Sequence, residues 1–354
     1  MTKSLDYKKV LVGVSGGVDS SVCIDLLKKQ GLEVEGVVIR FSPESDEAVK
    51  DAQKVCDKLG ITLHIADAQA DFKKYVVAPF CENYVSGKTP NPCIVCNPHV
   101  KFATLIKTAD ELGIGYIATG HYAQVEKVGE TYFVKKAVSV AKDQSYMLYR
   151  LPQEILSRLI LPIGSYEKPE IREMAGELEL FNADKPDSQE ICFIPDNDDK
   201  AFLKQILPPK AFKKGKVFHA DGRLLGNHDG IQNYTVGQRK GLGIALGKPA
   251  YVVALDAKKN SVILGDSEHL MHNQLTASQN NYFIELPLET PIAVDAKIRY
   301  RAQAAPAELL CHSDGTATVT FKESQRAITP GQCVAYYKGD ALIGGGIIET
   351  AQNV

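Results

Sequence analysis

No apolar run in this 354-residue chain approaches the roughly 20 residues of a membrane span. The opening stretch, MTKSLDYKKVLVGV, lacks the apolar core and small-residue cleavage site of a secretory signal. A cytoplasmic protein without membrane association is therefore expected. Internal repeats and low-complexity segments are absent as well. Eight cysteines over this length do not make a secreted disulfide scaffold. What remains is ordinary globular composition, 44% hydrophobic and 24% charged, in a chain long enough for two or three cored domains.

The formal net charge of −2 hides an asymmetry. Between Lys200 and Lys259 twelve Lys and Arg face three Asp, a balance of +9, which leaves −11 for the remainder. KAFLKQILPPKAFKKGKVF alone, residues 200–218, carries six lysines and no acid. Such a block fits a nucleic-acid footprint and, on the residues alone, equally a solvated surface.

Residues 8–120 alternate strand and helix signals. KKVLVGVS, EVEGVVIRF, ITLHIAD and IGYIATGHYA read as strands. VDSSVCIDLLKKQG, DEAVKDAQKVCDKLG and KFATLIKTADELG read as helices, each ended by glycine. This alternation predicts an α/β domain on a parallel sheet, with ligands at the carboxyl ends of the strands. QSYMLYRLPQEILSRLI and PEIREMAGELEL predict further helices. From about Gly215 short alternating runs such as KVFHAD, AYVVALDA, SVILGD, TATVTF and QCVAYY predict one or two small barrels. The expected divisions are 1–210, a catalytic domain with a helical extension, then 211–280, a small β-rich central domain, and 281–354, a C-terminal β-barrel.

Cys23, Cys56, Cys311 and Cys333 lie in apolar helix or strand patterns and are expected to be core thiols. Cys81 is ambiguous. Cys93 and Cys96 stand in TPNPCIVCNPHVKF, where three prolines predict a rigid loop rather than a regular helix. The pair could ligate a metal or cluster, form a redox disulfide or supply a nucleophile. Cys192 lies in equally loop-like surroundings.

GVSGGVDSS, Gly13–Ser21, follows the first strand and opens the first helix. Uncovered backbone N–H groups, a helix N-terminus and serine hydroxyls together make a polyanion site. The order Ser-Gly-Gly-Val-Asp-Ser is neither a Walker A loop nor a dinucleotide fingerprint. It resembles the loop of N-type ATP pyrophosphatases (adenine nucleotide alpha hydrolase-like proteins), which split ATP between the α and β phosphates. By that resemblance Gly13, Val14, Ser15, Gly16, Gly17, Val18, Asp19 and Ser20 bind ATP. Asp19 is a candidate Mg²⁺ ligand, and Ile39 and Gly120 border adenine and ribose.

The motifs GKTPNPCIVCNPHVKF, ATGHYA, KDQSYML, KPDSQEICFI, GNHDGIQNYTVGQRKGLG, KIRYR and PGQCVAYY follow in order along nearly the whole chain. Together they resemble the bacterial and mitochondrial tRNA-specific 2-thiouridylases. The resemblance implies ATP-dependent adenylation of a uracil C2 oxygen at the wobble position, followed by sulfur delivery. It implies that Cys192 receives sulfur as a persulfide, with Cys96 as its partner. Asn91, Pro92 and Cys93 match positions that meet the target base. His121, Lys142, Asp143, Gln144, Arg299, Tyr300 and Gln332 match tRNA contacts. The implied partners are the anticodon arm of tRNA and a sulfur donor or relay protein; a monomer is expected.

Cys93 departs from the family's Pro-Asp-x-x-Cys pattern, a thiol standing where a candidate acid–base carboxylate would be. Cys93, Cys96 and Cys192 then form a set of three that could hold a 4Fe–4S cluster with one iron open. A persulfide–disulfide relay is the alternative, and zinc a weaker one. Two other function classes stay open on the residues: another pyrophosphatase-loop ligase or amidotransferase, and a non-enzymatic tRNA-binding protein.

Overall fold

The computed structural model describes residues 4–42, 45–183, 191–194, 196, 198–244 and 247–354. Residues 185–190 of the KPDSQEICFI motif lie outside the described residues. The chain divides into two compact units.

The first unit comprises residues 1–76, 93–189 and 340–343. Its strands are β1 Asp6–Gly13, β2 Glu33–Arg40, β3 Leu63–Asp67, β4 Ile114–Ala118, β5 Ala123–Val128, β6 Thr131–Lys136 and β7 Leu159–Ile160. A parallel sheet runs β3-β2-β1-β4-β7. The unbroken Val10-Leu11-Val12 run is fully buried, as a central parallel strand requires. Strand order reverses between β1 and β4, so the crevice beyond their carboxyl ends is where such a sheet takes ligands. The helices Val18–Lys29 and Asp46–Leu59 follow β1 and β2, and Gly60 caps the second in the left-handed conformation. β5 and β6 form a hairpin whose β6 pairs with Ala341 and Leu342.

Three expectations need correction here. Cys93 and Cys96 do not lie in a loop. Pro92–Cys96 is an α-helical turn that continues through a π-turn, Asn97–Lys101, into the helix Phe102–Leu112. Pro92 opens that helix, where its missing N–H has no helical partner to lose. Pro98 falls in the π-turn, where the ordinary hydrogen-bond ladder is already displaced. The segment QSYMLYRLPQEILSRLI is not one helix but a 3₁₀ turn Ser145–Leu148, a short helix Gln153–Leu156 and β7. Pro152 interrupts it. Arg158 then donates to the carbonyls of Gly115 and Ile114, at 2.7 and 2.9 Å, fixing the segment as an edge strand. Finally, β4 stops at Ala118 instead of running on to Ala123.

The second unit comprises residues 77–92, 190–339 and 344–354. The helices Ala78–Val85 and Asp199–Ile206 share an aromatic core in which Phe80 meets Tyr84, Phe193 and Phe202. Strands β8 Gly215–His219, β9 Leu224–His228, β10 Tyr251–Asp256 and β11 Ser261–Gly265 form a sheet ordered β10-β11-β8-β9. The remaining strands are β12 Met271–Tyr282, β13 Ile292–Lys297, β14 Ala305–Cys311, β15 Ala317–Arg326, β16 Cys333–Lys338 and β17 Ala341–Gln352. They run β12-β15-β14-β13-β16-β17, and β12 pairs with β17 to close a barrel. Alternate residues Leu275, Leu309, Val319 and Ile348 fill its interior. As expected, Cys23, Cys56, Cys311 and Cys333 are core thiols. Cys81 joins them, 5% exposed.

Candidate active site

Residues 13–21 form a tight turn between β1 and its helix. Gly16 has φ +74°, and a Cβ there would stand 2.6 Å from Asp51 Cβ. The Ser20 hydroxyl accepts from the Ser15 N–H at 3.2 Å and donates to the Gly17 carbonyl at 3.1 Å. Ser21 donates to the same carbonyl at 2.8 Å. These bonds fold the loop so that Gly17 ends it in extended conformation as the helix N-cap, with no side chain covering the first-turn N–H groups. Gly120, just past β4, passes so close that a Cβ would lie 3.0 Å from the Asp19–Ser20 peptide. Ile39 lies at the carboxyl end of β2, beside β1. The expected nucleotide residues thus stand at the carboxyl ends of β1, β2 and β4, around the strand-order reversal.

Three residues not singled out from the sequence complete it. Lys168 Nζ donates to Asp19 Oδ1 at 2.7 Å, and the Tyr122 hydroxyl donates to the same oxygen at 2.9 Å. Asn182, 2% exposed, donates to the Gly16 carbonyl at 2.7 Å. Its Oδ1 is buried without a hydrogen-bond partner among the described residues. Lys168 and Asp19 are 149 residues apart in sequence. Only the inclusion of Tyr122 in ATGHYA offered a signal.

Cys93 and Cys96, one helical turn apart, share a face of their helix. Cys96 is 7% exposed and Cys93 half-buried. Asn97 holds that turn through a 2.9 Å bond to the Met147 carbonyl. Cys192 belongs to the second unit and is exposed. Among the described residues no group of three or more His, Cys, Asp or Glu side chains is placed to hold a metal ion.

The expected tRNA residues divide by setting. Lys142 and Gln144 are half-buried. Gln144 Oε1 accepts from the Tyr122 N–H at 2.9 Å. Asp143 is 7% exposed, its carboxylate accepting from Ala137 N–H, Ser145 N–H and the Ser145 hydroxyl. It therefore braces the loop that carries Lys142. His121 Nδ1 lies 2.8 Å from the Thr119 hydroxyl, and its ring stacks on Phe102. Burial, and secondarily Lys101, pushes its pKa well below the usual histidine range, so the ring is neutral.

In the second unit Arg299 and Tyr300 occupy a turn after β13. Arg299 donates to the Arg326 carbonyl at 2.6 Å. Gln332 donates to the Thr89 carbonyl at 3.0 Å, just ahead of Asn91 and Pro92. Lys204, Lys210, Lys213, Lys214 and Lys216 are exposed, and Lys200 lies 5.8 Å over the Tyr234 ring.

A family model described as "tRNA methyl transferase HUP domain" matches residues 8–196. Models described as "tRNA methyl transferase PRC-barrel domain" and "Aminomethyltransferase beta-barrel domain" match residues 200–266 and 272–348. The chain is 46% identical over 354 residues to a tRNA-specific 2-thiouridylase of Clostridium acetobutylicum, covering 97% of this chain and 99% of that one. It is 47% identical over 354 residues to one from Clostridium botulinum, with the same coverage. With one from Acetivibrio thermocellus it shares 46% over 360 residues, covering 98% of this chain and 100% of that one.

Proposed function

The chain belongs to the tRNA-specific 2-thiouridylase family, and on that footing we propose that it thiolates C2 of the wobble uridine of tRNA at the expense of ATP. The observation that carries this reading is the pyrophosphatase-type loop, with Asp19 in the first turn of its helix, at the strand-order reversal of a parallel sheet.

A uracil C2 carbonyl is a weak electrophile with a poor leaving oxygen. Its oxygen attacks the α-phosphorus of ATP, the bond to the β-phosphate bridging oxygen breaks, and pyrophosphate leaves. The exposed N–H groups of the loop and the helix N-terminus bind the phosphates throughout. Mg²⁺ brought with the nucleotide would be held by Asp19 and phosphate oxygens, a donor set this cation accepts, and it supplies charge neutralisation. The base is presented out of its stack, held by Asn91, Pro92 and the Cys93 turn.

Sulfur then replaces AMP. The outer sulfur of a Cys192 persulfide attacks C2, and the C2–O bond breaks with its electron pair leaving on AMP. The Cys96 thiolate attacks Cys192 Sγ, which releases 2-thiouridine and leaves a Cys96–Cys192 disulfide for an external reductant. An exposed Cys192 suits loading by a donor protein, and a buried Cys96 is shielded from adventitious oxidation.

A second reading is favoured by one observation, the second thiol on the helix face at Cys93. Cys93, Cys96 and Cys192 would hold a 4Fe–4S cluster, which supplies an open iron for sulfide. Iron and acid-labile sulfide on anaerobically purified protein separate the two. Four irons per chain, lost in Cys93→Ala, establish the cluster. A colourless, iron-free protein that thiolates tRNA with a persulfide donor eliminates it. The proposal as a whole fails if the protein, given ATP, a persulfide donor and unmodified tRNA, releases no AMP and pyrophosphate beyond the ATP-only control.

A further inference from the structure

The helix Ala78–Val85 leads the chain into Thr89, Asn91 and Pro92, the last two expected at the target base. The same helix supports the segment that bears Cys192. Ile191 and Phe193, on either side of the exposed Cys192, pack with Phe80 and Tyr84 of that helix in one core. Phe193 also meets Phe202 of the helix Asp199–Ile206, with ring centroids 5.2 Å apart. The base-holding turn and the sulfur-bearing segment thus share one support inside the second unit.

A polar contact runs between their two sides. Tyr84, 5% exposed, donates from its hydroxyl to Asp199 Oδ2 at 2.9 Å. Burial, and then the Asp199 charge, pushes the phenol pKa up, so it stays a donor. Thr235, from the motif GNHDGIQNYTVGQRKGLG, stands beside the phenol, and its hydroxyl accepts from the Thr89 hydroxyl at 3.4 Å. The two ends are held unequally. Thr89 is also fixed by Gln332 and Pro330, and Lys88 by Glu349. Asp199 is half-buried, and its Oδ1 is buried with no hydrogen-bond partner among the described residues. Loss of the phenol oxygen would strip the other carboxylate oxygen too, a cost relieved by movement toward water. The Cys192 side then yields while the base turn stays.

We propose that Tyr84 and Asp199 are positioning residues that hold the Cys192 segment in register with the base-holding turn for the sulfur-transfer step. The inference rests on the thiolation reading above and adds two residues to it. Adenylation needs the base turn alone, whereas sulfur transfer needs the turn and Cys192 together. With Cys192 misplaced, water consumes the adenylated base. It attacks phosphorus, the bond from phosphorus to the uracil oxygen breaks with its electron pair returning to the base, and AMP departs with uridine restored.

The test compares wild type, Tyr84→Phe, Asp199→Ala and Asp199→Asn, each given ATP with Mg²⁺, a persulfide donor and unmodified tRNA. AMP, 2-thiouridine and the melting temperature are measured for each. Tyr84→Phe keeps its ring in the aromatic core, so the fold should survive. In Tyr84→Phe and Asp199→Ala, 2-thiouridine formation should fall about tenfold, as loss of one charge-assisted bond implies. AMP released per 2-thiouridine should rise several-fold above the wild-type value, with KM for ATP unchanged. Asp199→Asn, which keeps an acceptor for the phenol, should stay close to wild type. AMP and 2-thiouridine falling in step in Tyr84→Phe, or no change in either, would make the contact structural only and overturn the inference. Asp199→Asn as impaired as Asp199→Ala would overturn it as well. A folded wild type that makes no 2-thiouridine would instead overturn the thiolation reading, and the inference with it.

Discussion

Gln332 donates from Nε2 to the Thr89 carbonyl at 3.0 Å, and the Thr89 N–H donates to Pro330 at 2.9 Å. The closed barrel thus grips the chain just before the turn that presents Cys93. A second tie lies beside it, the ion pair of Lys88 with Glu349, at 2.5 Å. Gln332→Ala removes one neutral bond, a stability cost of about 1 kcal/mol. Thiolation should fall further than that cost explains. Faster amide exchange at Lys88 and Thr89, with a melting temperature lowered by no more than a few degrees, would check it.

Gly16→Ala should abolish ATP binding. The new Cβ meets Asp51 Cβ at 2.6 Å in a left-handed backbone conformation. The strain is on the order of 1–3 kcal/mol, so the protein should remain folded while the loop distorts. Nucleotide binding and a melting curve, taken together, distinguish a distorted loop from a lost fold.

Stability should fall as pH drops below about 6.5. His121 is held neutral by burial, and His99 and His228 are shifted downward by burial as well. A histidine whose folded pKa lies below its unfolded value leaves the unfolded chain binding more protons. Its stabilisation is complete above the unfolded pKa and is lost progressively on acidification toward the folded pKa. His121→Asn, which can keep a bond to Thr119, should flatten part of this slope. Urea midpoints from pH 8 to pH 5 measure it.

Lys204, Lys210 and Lys213 are exposed on the basic stretch. Lys210→Glu and Lys213→Glu should each weaken tRNA binding and lower the slope of log K against log salt by about 1 per lost phosphate contact. ATP binding should not change. A salt slope indifferent to both changes would make this stretch an ordinary solvated surface.

The glycine-rich turn between β1 and its helix was legible in the sequence because its signal is local. GVSGGVDSS directly joins a buried strand to a helix, so loop, N-cap and first-turn carboxylate follow from nine consecutive residues. The Asp19–Lys168 pair was not legible, since EKPEIR reads as a solvated helix start and nothing local says that its lysine turns inward. At the Cys93 turn the three prolines predict a break that the chain does not make. Pro92 sits where a helix tolerates proline and Pro98 where the ladder widens. The β5–β6 hairpin went unnoticed because its half-exposed, charge-rich strands give little apolar alternation.

The most direct test of the whole account is a single reaction: purified chain, ATP with Mg²⁺, a persulfide donor and unmodified tRNA, with nucleosides analysed by mass spectrometry. The account predicts 2-thiouridine at the wobble position, one AMP per thiolated base, and loss of the product in Cys192→Ala and Cys96→Ala. Undiminished 2-thiouridine formation by Cys192→Ala, or AMP release without 2-thiouridine in the wild type, would contradict it.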